Sequence, residues 1–98
     1  MIISGGVNIY PAEVEQALIE HPAIADLVVF GIANHEWGET VKALIELKNK
    51  EEASDQLKKD IQEFCIQKIA KYKTPRVIEF IDALPRNAAG KIRIKDLS

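Results

Sequence analysis

Ile24-Ala25-Asp26-Leu27-Val28-Val29-Phe30-Gly31-Ile32 is too apolar and too β-branched for a surface helix and reads as a buried strand. A polar turn, Asn34 to Glu39, separates it from Thr40 to Leu47. That second run alternates, with Val41, Ala43, Ile45 and Leu47 on one face, and reads as a half-buried strand. Working outward toward the N-terminus, Pro11 suits the first turn of a helix, where its missing N–H costs nothing. Glu13 and Glu15 then sit near the positive end of the helix dipole. Val14, Ala17 and Leu18 form its apolar stripe, and His21-Pro22 ends it. Toward the C-terminus, Lys48 to Ala53 is a charged loop and Ser54 an N-cap. Leu57, Ile61, Phe64, Cys65 and Ile69 recur at amphipathic helical spacing, with Lys58, Lys59, Asp60 and Glu63 on the solvated side. Pro75 disfavours helical geometry at Thr74 and breaks the pattern at Tyr72 to Pro75. Val77 to Ile81 follows as a third strand, then a turn at Pro85 to Gly90. The order predicts one small α+β domain over residues 1–98: a sheet of about three strands packed against two to three helices.

Ninety-eight residues form a domain of ordinary size with room for one core and little for a deep pocket as well, which disfavours a complete two-substrate enzyme. Apolar content of 47% with 29% charged residues reads as a soluble globular protein. No run approaches the length needed to span a bilayer, so no transmembrane segment is expected. Cys65 is the only cysteine, which leaves no internal disulfide and makes a reducing cytoplasm the default location. His21 and His35 are isolated, so no metal site is expected. Met1-Ile2-Ile3 reads as the middle of a strand, the expectation being a domain excised from a longer chain. The net charge of −2 is unevenly spread. From Lys68 to Ser98 eight basic residues face three acidic ones, a balance of +5, which leaves −7 on residues 1–67. A basic end on an acidic body is an address for an anion, whether a phosphorylated small molecule or a nucleic acid.

Two further segments carry chemistry. Ser4-Gly5-Gly6-Val7 opens the chain with adjacent glycines, which reach positive φ and strip the backbone of side chains. Alone, this is a tight turn before a helix, and it lacks the spacing of a dinucleotide fingerprint. Leu84-Pro85-Arg86-Asn87-Ala88-Ala89-Gly90-Lys91-Ile92 ends in a lysine after a glycine. Alone, Lys91 is a solvated charge. It does not belong to a phosphate-cradling Walker loop, since Pro85 and Ile92 occupy positions that motif reserves for Gly and Ser or Thr. Tyr72-Lys73-Thr74-Pro75-Arg76 is, on the same terms, a helix exit with solvated cations. Trp37 reads as packing or an interdomain contact, and Cys65 as core.

Taken whole, Ser4 to Glu15 resembles the segment after the interdomain hinge of the adenylate-forming enzymes, the AMP-forming acyl-CoA synthetase family. Leu84 to Ile92 resembles that family's last core motif, and the likeness extends over essentially the whole chain. The resemblance implies the small C-terminal lid of an enzyme whose large N-terminal domain and hinge lie outside these residues. It implies ATP-dependent activation of a carboxylic acid, a fatty acid in the first instance, to acyl-AMP and then to its CoA thioester. Lys91 would be the catalytic residue, bridging the substrate carboxylate and the α-phosphate during adenylation. A fixed ammonium there stabilises charge gathered in the transition state. Ser4, Gly5, Gly6 and Val7 would flank the pantetheine arm of CoA in the second step, and Tyr72, Lys73 and Arg76 would meet the CoA nucleotide. ATP and CoA are then co-substrates, Mg²⁺ is held by the other domain, and the domain's partner is its own N-terminal domain. Two other readings stand beside this one: a lid that loads a carrier protein, and a small α+β module that binds nucleic acid. Net negative charge and only six aromatics argue against nucleic acid.

Overall fold

The computed structural model describes residues 1–36 and 38–84. Strand β1 (Ile2–Ser4) turns into β2 (Val7–Ile9), which leads into helix α1 (Pro11–Leu18). Strands β3 (Ile24–Asn34) and β4 (Gly38–Leu47) follow, then helix α2 (Asp55–Lys68) and strand β5 (Val77–Ile81). Single 3₁₀ turns lie at Lys50–Glu52 and Lys71–Lys73. The α+β reading therefore holds, with five strands in the sheet where the sequence indicated about three. The strand that periodicity does not show is β2, whose three residues are too few to display an alternating pattern. It exists because Gly5-Gly6 folds it back onto β1 rather than running straight into α1.

β4 is the spine of the sheet. Along one edge it pairs antiparallel with β3 from Gly38 to Leu47. Its other edge is shared, by β1 through Ser4 opposite Gly38 and by β5 in parallel from Lys42 to Glu46. The parallel pairing requires a crossover, and α2 supplies it. Ser54 caps α2 by accepting the Leu57 amide proton at 3.0 Å, and α1 begins at Pro11. β3 forms the outer edge, and carboxylates cover two of its outward amides. Glu15 Oε2 accepts from Val29 N at 2.9 Å and Asp26 Oδ1 from Leu27 N at 2.9 Å. Covered there, the first half of the edge is a poorer template for another strand.

The core lies between one face of the sheet and the two helices. Val41, Ala43, Ile45 and Leu47, the predicted inner face of β4, pack there with Ile2, Ile9, Leu18, Ile61 and Cys65. The opposite face carries a smaller cluster of Val28, Phe30, Leu44 and Leu84. Apolar contacts on both faces account for the nearly unbroken hydrophobic run of β3. Among the described residues, no helix is long and apolar enough to cross a membrane.

Candidate functional site

Three groups of side chains were singled out from the sequence, and the fold treats them differently. Ser4, Gly5, Gly6 and Val7 form the tip of the β1–β2 hairpin, with Ser4 opposite Val7 in the last pair. Gly5 and Gly6 have φ of +58° and +80°. Two consecutive left-handed residues make the turn whose twist matches a two-residue hairpin, and glycine enters it without strain. A Cβ at either position would meet nothing within 4 Å. Gly5, Gly6 and Val7 are exposed, so this tip presents bare backbone to anything that approaches. The reading of these glycines as a turn is right, but the turn precedes a strand rather than a helix.

Tyr72 and Arg76 come together in a second place. With Gln62, Ile66, Lys71, Thr74 and Pro75 they line an open groove of about 640 Å³ beside the end of α2. Gln62 donates to the Pro75 carbonyl at 3.0 Å and so holds the groove's floor to the helix. Pro75 is fully buried, while Tyr72 keeps 53% of its surface exposed. The groove thus combines an open aromatic face with two basic side chains, Lys71 and Arg76, a combination suited to a planar ring carrying phosphates.

Lys73 stands apart from that groove. Its ammonium is 2.6 Å from Glu13 Oε1 and 5.6 Å from the centre of the Tyr72 ring. The hydrogen bond to Glu13 is the main influence raising the Lys73 pKa above its ordinary value of 10.5. Lys73 therefore ties the turn after α2 to the first turn of α1. Cys65 is buried, and that burial pushes its thiol pKa up, with the Thr74 hydroxyl acting in the other direction. A thiol so placed is a core group rather than a nucleophile. Lys91 and Trp37 lie outside the described residues.

Sequence reasoning missed Glu39 and Gly31. Glu39 Oε1 accepts the Ile3 amide proton at 3.0 Å, directly behind the glycine tip. A glycine inside a strand pattern is the signal that could have pointed there, because it marks a close approach. No three or more His, Cys, Asp or Glu gather into a possible metal site among the described residues.

Comparison with known proteins bears on this arrangement. A family model described as the AMP-binding enzyme C-terminal domain matches residues 13–91. The 2-succinylbenzoate–CoA ligase of Geobacillus kaustophilus (strain HTA426) is 42% identical over 97 residues, covering 99% of this chain and 19% of that protein. The long-chain-fatty-acid–CoA ligase FadD13 of Mycobacterium tuberculosis (strain ATCC 25618 / H37Rv) is 41% identical over 92 residues, covering 94% and 18%. Among solved structures, an acyl-CoA synthetase from Brucella canis superposes with a TM-score of 0.93 at 32% identity, covering 98% of this chain and 18% of that one. The o-succinylbenzoate CoA synthetase of Bacillus subtilis, in complex with its acyl-adenylate intermediate, superposes with a TM-score of 0.87 at 40% identity, covering 99% and 19%. The chain spans about a fifth of the length of the relatives it matches.

Proposed function

This chain belongs to the family of AMP-binding enzyme C-terminal domains, and from that premise we propose that it is the lid of an AMP-forming carboxylate:CoA ligase. The reaction has two steps. A carboxylate attacks the α-phosphorus of ATP, giving acyl-AMP and pyrophosphate, and the CoA thiol then displaces AMP to give the thioester. Lys91 would serve the first step as a positive charge delivered to the reacting group and later withdrawn. In the second step the lid would turn about a hinge outside these residues and bring Ser4 to Val7 against the pantetheine arm.

The observation that carries this reading is the exposed hairpin tip with two left-handed glycines. A thin, extended arm can lie against it because no side chain stands in the way. The groove of Tyr72 and Arg76 supports the same reading, since it offers stacking and cationic groups to the CoA nucleotide. Lys73 can reach a phosphate only by exchanging Glu13 for it. Mg²⁺ would enter with ATP on the large domain, and the location would be the cytoplasm. The relatives act on acids as different as succinylbenzoate and long-chain fatty acids, and the pocket that selects between them would belong to the large domain. A fatty acid is one candidate, and a carrier-protein thiol in place of CoA is the alternative acceptor.

The test separates the two steps in the full-length enzyme. Lys91→Ala should slow adenylation by roughly 10²- to 10³-fold while sparing thioester formation from supplied acyl-AMP. Equal loss in both steps would remove Lys91 from the role given it here.

A further inference from the structure

We infer that Glu39 is a positioning residue for the glycine hairpin, its carboxylate replacing a strand partner for Ile3 in space that Gly31 keeps open. The hairpin is weakly held by backbone alone: β1 meets β4 at one pair, Ser4 opposite Gly38. Gly38 turns there with φ of +83°, a left-handed conformation that favours glycine, and the Ile3 carbonyl lies at ordinary contact distance, 3.7 Å from where a Cβ would be. Ser4 and Val7 close the hairpin, so the alternation of an antiparallel ladder points the Ile3 amide away from β2. β5 pairs with β4 only from Lys42 onward and does not serve that amide. Glu39 Oε1 does, at 3.0 Å.

The carboxylate reaches that position across Gly31. Glu39 stands opposite Ala33 on β3, and Gly31 is two residues along on the same face. A Cβ on Gly31 would lie 2.5 Å from Glu39 Oε2, 3.1 Å from its Cδ and 3.1 Å from Ile2 Cγ2. The φ of Gly31 is not left-handed, so what glycine supplies here is space for the end of Glu39 and not a backbone conformation. A side chain at 31 would push on Glu39 Oε2, the most movable atom in contact, and so displace the carboxylate whose Oε1 serves Ile3. Gly31, the Glu39 carboxylate and the Ile3 amide thus form a mechanical series ending at the tip that presents Gly5 and Gly6. The consequence for thioester formation rests on the placement of that tip beside pantetheine proposed above; the anchoring itself does not.

Two substitutions disturb the same contact from opposite sides. In the 98-residue chain, Glu39→Ala and Gly31→Ala should each accelerate hydrogen exchange at the Ile3 amide by about 10- to 100-fold, the loss of a bond to a charged acceptor. Glu39→Gln, which keeps an acceptor oxygen, should retain most of the protection. Adding Gly31→Ala to Glu39→Ala should add little, because no carboxylate remains to be displaced. Unchanged exchange in Glu39→Ala overturns the inference, as does equally fast exchange in Glu39→Gln, or full additivity in the double variant. In the full-length ligase, Gly31→Ala should slow thioester formation from supplied acyl-AMP by roughly 10- to 100-fold and leave adenylation unchanged. If exchange accelerates while both steps keep their rates, the anchor stands and the proposed place of the hairpin is what fails.

Discussion

The Lys73 ammonium lies 2.6 Å from the Glu13 carboxylate, so the turn after α2 is fastened to the first turn of α1 across the surface of the domain. This contact raises the Lys73 pKa above 10.5. The stabilisation is therefore fully present below pH 10.5 and is lost as pH rises through the higher folded-state value. Urea denaturation across that alkaline range should show a fall in midpoint for the native chain. Glu13→Gln should remove the part of the fall that belongs to Lys73. The same slope in both proteins would mean that the pair does not form in solution.

The groove beside α2 presents Tyr72 as its open aromatic face. If the CoA base stacks there, Tyr72→Ala loses about 1–3 kcal/mol of stacking, and the KM for CoA rises by roughly 5- to 150-fold. Tyr72→Phe keeps the ring and should keep the KM. Adenylation, measured by pyrophosphate exchange in the full-length ligase, should be the same in all three proteins. An unchanged KM in Tyr72→Ala would take the nucleotide out of this groove.

At the hairpin tip the constraint is conformational, since a Cβ on Gly5 or Gly6 has open space around it. Gly6→Val at φ of +80° should cost on the order of 1–2 kcal/mol, or roughly 4–16 °C in Tm for a domain of this size. Gly5→Asn should be nearly neutral, because asparagine followed by glycine is favoured in this turn. Thermal denaturation of the 98-residue chain followed by circular dichroism would rank them. A Gly6→Val chain as stable as the native one would contradict the left-handed turn.

His21, three residues past the end of α1, sets its ring edge-on to Phe64, 5.0 Å between centres, and its Nδ1 accepts the Ala23 amide proton at 3.1 Å. Burial lowers its pKa below 6.5, partly opposed by the negative charge of Asp60. A proton on Nδ1 would also remove the acceptor that Ala23 uses. The neutral ring's contribution is present above pH 6.5 and is lost as pH falls through the depressed folded-state value. His21→Asn keeps an acceptor and cannot take the proton, so its stability should decline less steeply between pH 7 and 5. Parallel curves for the two proteins would place the acid sensitivity elsewhere.

Strong local patterns were legible without coordinates. The alternation of Val41, Ala43, Ile45 and Leu47, the Ser54 cap and the burial of Ile61 and Cys65 all appear as the residue spacing indicates. Tyr72 and Arg76, marked as a charged aromatic exit from a helix, do share one groove. Lys73 does not share it, because its nearest opposite charge is sixty residues earlier in the chain and only folding brings Glu13 to it. β2 was hidden by its length, and Glu39 by looking like any carboxylate in a polar turn.

The amino-acid order by itself determined the two helices and the longer strands, the faces that α1, α2 and β4 bury, and the positions where glycine allows a turn. These depend on interactions between residues a few positions apart, and periodicity records them. Which edge of β4 each neighbour takes, which carboxylate serves Ile3 and which one holds Lys73 were decided only by the tertiary structure. Those contacts join residues that are distant in the chain, and their identity follows from the register of the strands and the space left by a missing side chain at Gly31.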